Sequence, residues 1–183
     1  MTIQSRSATT ATNIIIDGYA WSILGSFPAG NDAERFWNNA FPVPVSTDWL
    51  ELKGFGFAIP AGATINSITV RFNAQIYASD SSEGAVYHTR LTSTSGVSNT
   101  DQFNCPGTGA VFAAVLAGPG TLWGVGFNPT LINSGSFGFQ VRANWFRVNA
   151  VYQTVYVLPT PSIDVNYTAA AVAPTNAMML SEA

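Results

Sequence analysis

The chain holds one histidine and one cysteine, and neither has the neighbours that chemistry requires. His88 lies in Ala85-Val-Tyr-His-Thr-Arg90 with no Ser or Cys nucleophile motif and no group of carboxylates beside it. A general base works on a nucleophile and is itself oriented by a third group, so His88 reads as a surface or half-buried histidine. Cys105 has no second cysteine to pair with and precedes Pro106, which makes it a small, semi-apolar filler. The 10 carboxylates are scattered. Asp80 and Glu83 flank Ser81-Ser82, but Ca2+ takes about 6–8 oxygens and the sequence converges no others there. Asp48 beside Trp49 has no second acid at a glycosidase separation. We therefore expect no catalytic residue, no metal site, no cofactor and no reaction.

Aromatic side chains are the richer resource, with 5 Trp and 6 Tyr whose faces could stack on sugars. Trp123 and Trp145 fall within strand patterns, and Trp145 sits on the apolar phase, which assigns it to a core. Trp21, Trp37 and Trp49 lie in less regular sequence and are the candidates for exposed contact. Near the C-terminus Met178-Met179-Leu180, with Ile163 before them, are apolar anchors in an otherwise small and polar stretch. Trp21, Trp37, Ile163, Met178, Met179 and Leu180 are accordingly the expected protein-interface residues.

The rest of the composition narrows the class. Of 183 residues, 9% are charged, against roughly 25% in an ordinary soluble domain. Ser, Thr, Asn and Gly take the place of the missing charge, so the chain suits neither a disordered segment nor a membrane span. A net charge of -3 leaves no cationic surplus for phosphates, which argues against nucleic acid and anionic membranes as partners. The first twelve residues lack the basic start and apolar run of a secretory signal, so synthesis in a cytoplasm is expected.

Strand signals dominate. Ile68, Val70, Phe72, Ala74 and Ile76 alternate with Thr69, Arg71, Asn73 and Gln75, a period of two. The same alternation runs through Phe137, Phe139, Val141, Ala143 and Trp145, and Val151 to Val157 is rich in β-branched and aromatic residues. These last two segments are expected to pair antiparallel. Apolar phase slips between Leu52 and Phe55, which predicts a bulge at Gly54. Pro60 and Gly62 predict a tight turn. Weaker strands are expected at 85–92, 111–115, 122–125 and 14–17, and a short helix at 31–39 capped by Asn31. Many short strands without βαβ alternation predict an all-β fold, an antiparallel β-sandwich of jelly-roll type. The sandwich is expected over residues 14–158, with extended arms at 1–13 and 159–183 that neighbouring subunits hold in place.

One stretch carries a resemblance. Leu50-Glu-Leu-Lys-Gly-Phe-Gly-Phe-Ala-Ile-Pro-Ala-Gly-Ala-Thr-Ile-Asn-Ser-Ile-Thr-Val70 resembles the opening of a β-sandwich module of tailed-bacteriophage virion proteins. Leu122-Trp123-Gly124, Ile132-Asn133-Ser134, Phe137-Gly138-Phe139 and the aromatic strand at 151–157 are similar to its later motifs, in order and spacing. The closing strand departs from the pattern in having Tyr152-Gln153 where the module carries an acidic residue. The resemblance spans roughly residues 49–157 and implies a structural protein of a virion. With the low charge and the two arms, the expected role is an auxiliary capsid protein that cements or decorates a head shell by non-covalent packing. Its partners would be copies of itself, as a homotrimer, and the major capsid protein or other virion proteins. The rival expectation is a tail, baseplate or fibre component with a glycan-binding β-sandwich.

Overall fold

A computed structural model of the chain describes residues 1–14, 19–38, 46–78, 84–107, 109–118, 122–146 and 152–171, with Trp37, Asn38, Phe146 and Tyr152 described by backbone alone. It is an antiparallel β-sandwich. One sheet contains β1 (Thr2–Ser7), β3 (Ser22–Ile23), β4 (Ala33–Asn38), β6 (Thr64–Ala78), β9 (Val111–Leu116), β11 (Tyr152–Val157) and β12 (Ser162–Thr168). The other runs β2 (Thr10–Ile14), β5 (Trp49–Lys53), β10 (Gly138–Phe146), β7 (Gly84–Ser93), β8 (Gly96–Pro106). We call these the first and second sheets. A single helical turn, α1 (Pro129–Ile132), is capped by the Asn128 side chain and precedes β10.

The strand orders are those of a jelly roll. Ala74 of β6 pairs with Val157 of β11 on one side and Phe112 of β9 on the other, so the first sheet has the inner order β4-β11-β6-β9. The second has β5-β10-β7-β8. Two interleaved Greek keys of eight strands make that pattern. β6 is fifteen residues long, and β11 flanks its second half while β12 continues the same track along its first half. Between them, residues 158–161 bow outward, with Leu158 N–H donating to the Asn73 carbonyl at 2.9 Å.

Period two decides what faces inward. Ile68, Val70, Phe72, Ala74 and Ile76 of β6 meet Leu50, Leu52, Phe139, Val141, Ala143, Tyr87 and Leu91 from the second sheet in one buried core. Phe72 stacks on Phe139 at 6.3 Å between ring centroids and lies 5.9 Å from Tyr87. The Tyr87 hydroxyl crosses the sandwich and donates to the Tyr156 carbonyl at 2.8 Å. Burial, with Cys105 beside it, raises its pKa well above 10, so this donor stays protonated. Burial likewise pushes the Cys105 thiol up to about 12, which makes it inert.

The residues that carry the phage-module resemblance meet at one end of this core. Phe55 lies 6.0 Å from Phe139, and Phe57 packs edge-on against Phe137 at 5.9 Å. The Asn133 amide then clamps the Ile59 backbone in both directions, accepting from its N–H and donating to its carbonyl, each at 2.8 Å. The Gly-Phe-Gly-Phe and Phe-Gly-Phe motifs thus pack on each other within the core.

Several segments differ from the sequence expectations. β10 and β11, expected to pair with each other, lie in opposite sheets, β10 between β5 and β7 and β11 between β4 and β6. Residues 1–13, expected as an extended arm held by neighbouring subunits, supply β1 in the first sheet and β2 in the second, with buried Ala8 at the crossing. Residues 162–168, expected in the C-terminal arm, form β12, which pairs with both β1 and β6. Backbone pairing holds the polar β1, whereas β12 buries Ile163, Val165 and Tyr167 in alternation with Ser162, Asp164 and Asn166, a period of two present in the sequence. Residues 33–38 of the expected helix are β4, because pairing along β11 outweighs a weak local helix preference. At Gly54 the strand ends instead of bulging: its φ of +76° turns the chain, and an added Cβ would collide with the Thr9 hydroxyl. Residues 122–125 form a turn around buried Trp123, whose indole donates to the Ile68 carbonyl at 2.9 Å. Residue 14 belongs to β2, and 15–17 lie outside the described residues.

Candidate functional site

The two sheets present very different outer faces. On the second sheet, β5, β10 and β7 align Trp49, Arg142 and His88 in one cross-strand row and Glu51, Gln140 and Arg90 in the next. Arg90 and Arg142 lie over the Trp49 ring, 4.1 and 4.9 Å from its centroid, so the indole is only 5% exposed. Arg90 Nε donates to Gln140 Oε1 at 2.8 Å, Gln140 Nε2 donates to Glu51 Oε1 at 3.0 Å, and Glu51 pairs with Lys53 at 2.8 Å. Burial and then Arg142 lower the pKa of Arg90, while Glu51 opposes them. A chain with seven Lys and Arg has placed three of them here, tied down by its own side chains.

His88 belongs to that face. The Asn144 side-chain amide hydrogen-bonds its Nε2 at 3.0 Å. Burial first and Arg142 second lower its pKa below the usual value. No hydroxyl or thiol nucleophile hydrogen-bonds to it among the described residues, and Cys105 lies on β8 with its side chain in the core. Among the described residues no three His, Cys, Asp or Glu side chains gather as a metal site. Asp80 and Glu83 lie outside the described residues.

The outer face of the first sheet is divided. Along β12 and the first half of β6 it is polar, with Arg71 paired to Asp164 at 2.6 Å and Asn66 donating to Thr168 at 3.0 Å. Along the second half exposed aromatic and aliphatic side chains stand among polar ones. Phe36, Thr154 and Tyr77 form one row across β4, β11 and β6, and Glu34, Tyr156, Gln75 and Val111 form the next across β4, β11, β6 and β9. Phe36, Tyr77, Val111 and Val115 are each about half exposed, at 53, 50, 53 and 53%. Tyr77 meets Tyr156 edge-on at 5.9 Å, and the Gln75 amide holds the Tyr77 hydroxyl at 3.2 Å and the Gly109 carbonyl at 2.6 Å. A shallow hollow walled by Arg71, Asn73, Ala113, Val115 and Thr160 continues this surface.

The expected interface residues fall elsewhere. Trp21 is buried, its indole donating to the Asp48 carbonyl at 2.9 Å, so it packs within its own chain. Ile163 is fully buried opposite Val70, as inward alternation along β12 requires. Trp49 is buried under its two arginines. Trp37 is placed on β4 by backbone alone, and Met178, Met179 and Leu180 lie outside the described residues. Sequence reading passed over Phe36, Tyr77, Val111 and Val115 because each looked like an ordinary strand residue. The signal available was phase: in Gln75-Ile76-Tyr77 the tyrosine lies off the buried phase set by Ile68 to Ile76.

No protein family matches the sequence, and no curated protein matches it. Among solved structures, a chain from the structure of infectious bursal disease virus, Gt strain, overlaps 93% of this chain at 9% identity and a TM-score of 0.33. The chain spans 38% of that viral chain's length. Likeness at that level decides neither fold nor function. No helix among the described residues is long and apolar enough to cross a membrane.

Proposed function

We propose that this chain is a non-enzymatic structural protein of a bacteriophage virion, an auxiliary capsid protein that cements or decorates the head shell. The observation that carries the reading is that four large apolar side chains of the first sheet, Phe36, Tyr77, Val111 and Val115, stand half exposed on a chain with so little charge. Apolar surface kept in water is a standing cost that a partner removes, at about 25 cal/mol per Å2 covered. A shell presents such partners at high local density, and a surface of Ser, Thr and Asn avoids repulsion between packed copies. The resemblance of residues 49–157 to a phage virion module supports the same placement. The partners are the major capsid protein and further copies of this chain, as a trimer about the three-fold positions that shells offer. No reaction is involved: coverage of this surface stabilises the shell by mass action, less the cost of association.

Burial of Trp21 and Trp49 removes two of the three indoles that a sugar platform would have used, which favours the head over a glycan-binding tail or fibre role. The test is quantitative mass spectrometry of purified virions, with heads and tails separated, followed by re-addition of the purified protein to stripped heads. Many copies on heads and saturable re-binding are expected. A few copies confined to tails, or glycan binding in place of head binding, would overturn the proposal.

A further inference from the structure

A sheet edge is a row of unpaired N–H and C=O groups, and natural edges are blunted by shortness, charge or proline. Here β3 is two residues long, β1 carries Arg6, and β8 carries Asp101 and ends at Pro106. On β2, Asn13 is tied to the Trp21 backbone by two hydrogen bonds of 2.9 Å. β9 has none of these devices. Val111-Phe-Ala-Ala-Val-Leu116 contains no charge, proline or glycine and lies inside a charge-free stretch from Gln102 to Val141. Among the described residues it pairs with β6 alone.

The ladder shows which groups are open. The Asn73 carbonyl accepts from Leu158 on the side away from β9. Backbone groups alternate sides along an antiparallel strand, so Phe72 and Ala74 turn theirs toward β9, where they face Ala114 and Phe112. On β9, therefore, Val111, Ala113 and Val115 hold their N–H and C=O groups at the open edge, and the same three side chains stand exposed on the outer face.

We propose that this edge pairs with β9 of a second copy of the chain, antiparallel about a two-fold axis at Ala113, so that Val111 lies opposite Val115 of the second copy. Self-pairing is singled out by charge and size. In an isologous strand pair the residue on the axis meets its own copy and the residues on either side exchange partners, and β9 brings no charge into any of these positions. The small Ala113 occupies the axis, and β-branched valines pair on either side of it, a favourable cross-strand combination. This contact is independent of where the protein works, and it is a two-fold, separate from the three-fold contact proposed for the shell.

The test is sedimentation of the purified full chain across the micromolar range, apart from any virion. Ala113→Pro removes an edge-facing N–H without breaking a bond to β6, as proline on an edge strand allows. At least tenfold weaker self-association is expected with the β signal in circular dichroism intact. Val111→Lys alone should also weaken association, because each ammonium then lies against Val115 of the second copy with no counter-charge, and adding Val115→Glu should restore association, because each introduced ammonium then faces an introduced carboxylate of the second copy. That pair of variants decides the matter even if Ala113→Pro fails to fold. A wild type that stays monomeric at 100-fold above ~1 μM, where two-fold contacts of useful affinity assemble, would overturn the proposal. So would association unchanged by Val111→Lys, or association lost on removing residues 172–183 and kept in Ala113→Pro.

Discussion

The outer face of the second sheet is covered by its own side chains, whereas half of the first sheet's outer face is left to water. Trp49 has two guanidinium groups over its ring, and Glu51, Gln140 and Arg90 connect three neighbouring strands. Exceptions there are few: Arg142 Nε and Asn144 Oδ1 are buried without hydrogen-bond partners among the described residues. Phe36 and Tyr77 have no comparable cover. The chain had the means to shield large aromatics from water and used them on one face only. A side chain that folding does not need covered, on a protein otherwise economical with exposed aromatics, is a side chain available to a partner.

The comparison breaks most visibly at Trp49. Trp49→Ala removes a buried ring and leaves Arg90 and Arg142 beside each other without it, so a loss of about 3–5 kcal/mol is expected from cavity and transfer costs. Urea unfolding followed by tryptophan fluorescence and circular dichroism measures it; a loss under about 1 kcal/mol would mean that this face does not hold the sandwich together. Arg90→Ala should cost less, about 1–3 kcal/mol, for one cation–π contact and one hydrogen bond to Gln140. An unchanged midpoint in that variant would reduce the network to surface decoration.

These faces were unequally legible in the sequence. The core strands announced themselves, because Ile68 to Ile76 and Phe137 to Trp145 bury one clean alternating set. β8 did not. Its buried Ser98 is satisfied by donating to the Asn99 carbonyl and accepting from the Leu91 N–H, each at 2.8 Å, so a polar letter stands at a core position and hides the period. β1 is held by its ladder with β12, and its one large apolar residue, Ile3, faces out, which left only a polar segment to read. Trp49, Arg90 and Arg142 are far apart in sequence and meet only through the register of β5, β10 and β7. Jelly-roll class was readable from many short strands, but the order that assembles either face was not.

His88 gives a smaller and pH-dependent contrast within the covered face. Its folded pKa lies below the unfolded value, because burial and Arg142 disfavour the imidazolium. Above the unfolded pKa of about 6.5 both states are neutral and the residue contributes no pH dependence. As pH falls below that value the unfolded chain takes up a proton that the folded chain resists, so stability declines until the folded pKa is reached. His88→Gln should flatten that part of the stability profile between neutral and mildly acid pH while leaving neutral stability close to wild type. A slope unchanged by the substitution would assign the acid sensitivity to carboxylates instead.

The smallest expected effect on folding is the most informative about the uncovered face. Phe36 is half exposed on β4 and has no ring contact with another aromatic side chain among the described residues, so Phe36→Ser should alter unfolding free energy by no more than about 0.5 kcal/mol, as for ordinary surface positions. The same substitution should weaken binding to stripped heads at least tenfold, which corresponds to about 1.4 kcal/mol. Val97 supplies the control: it is about as exposed, at 50%, but sits on β8 of the second sheet, away from Phe36, Tyr77, Val111 and Val115. Val97→Ser should leave both stability and attachment where they were. If Phe36→Ser and Val97→Ser behave alike in attachment, exposed apolar area on the first sheet has no special role, and the difference between the two faces is a matter of folding alone.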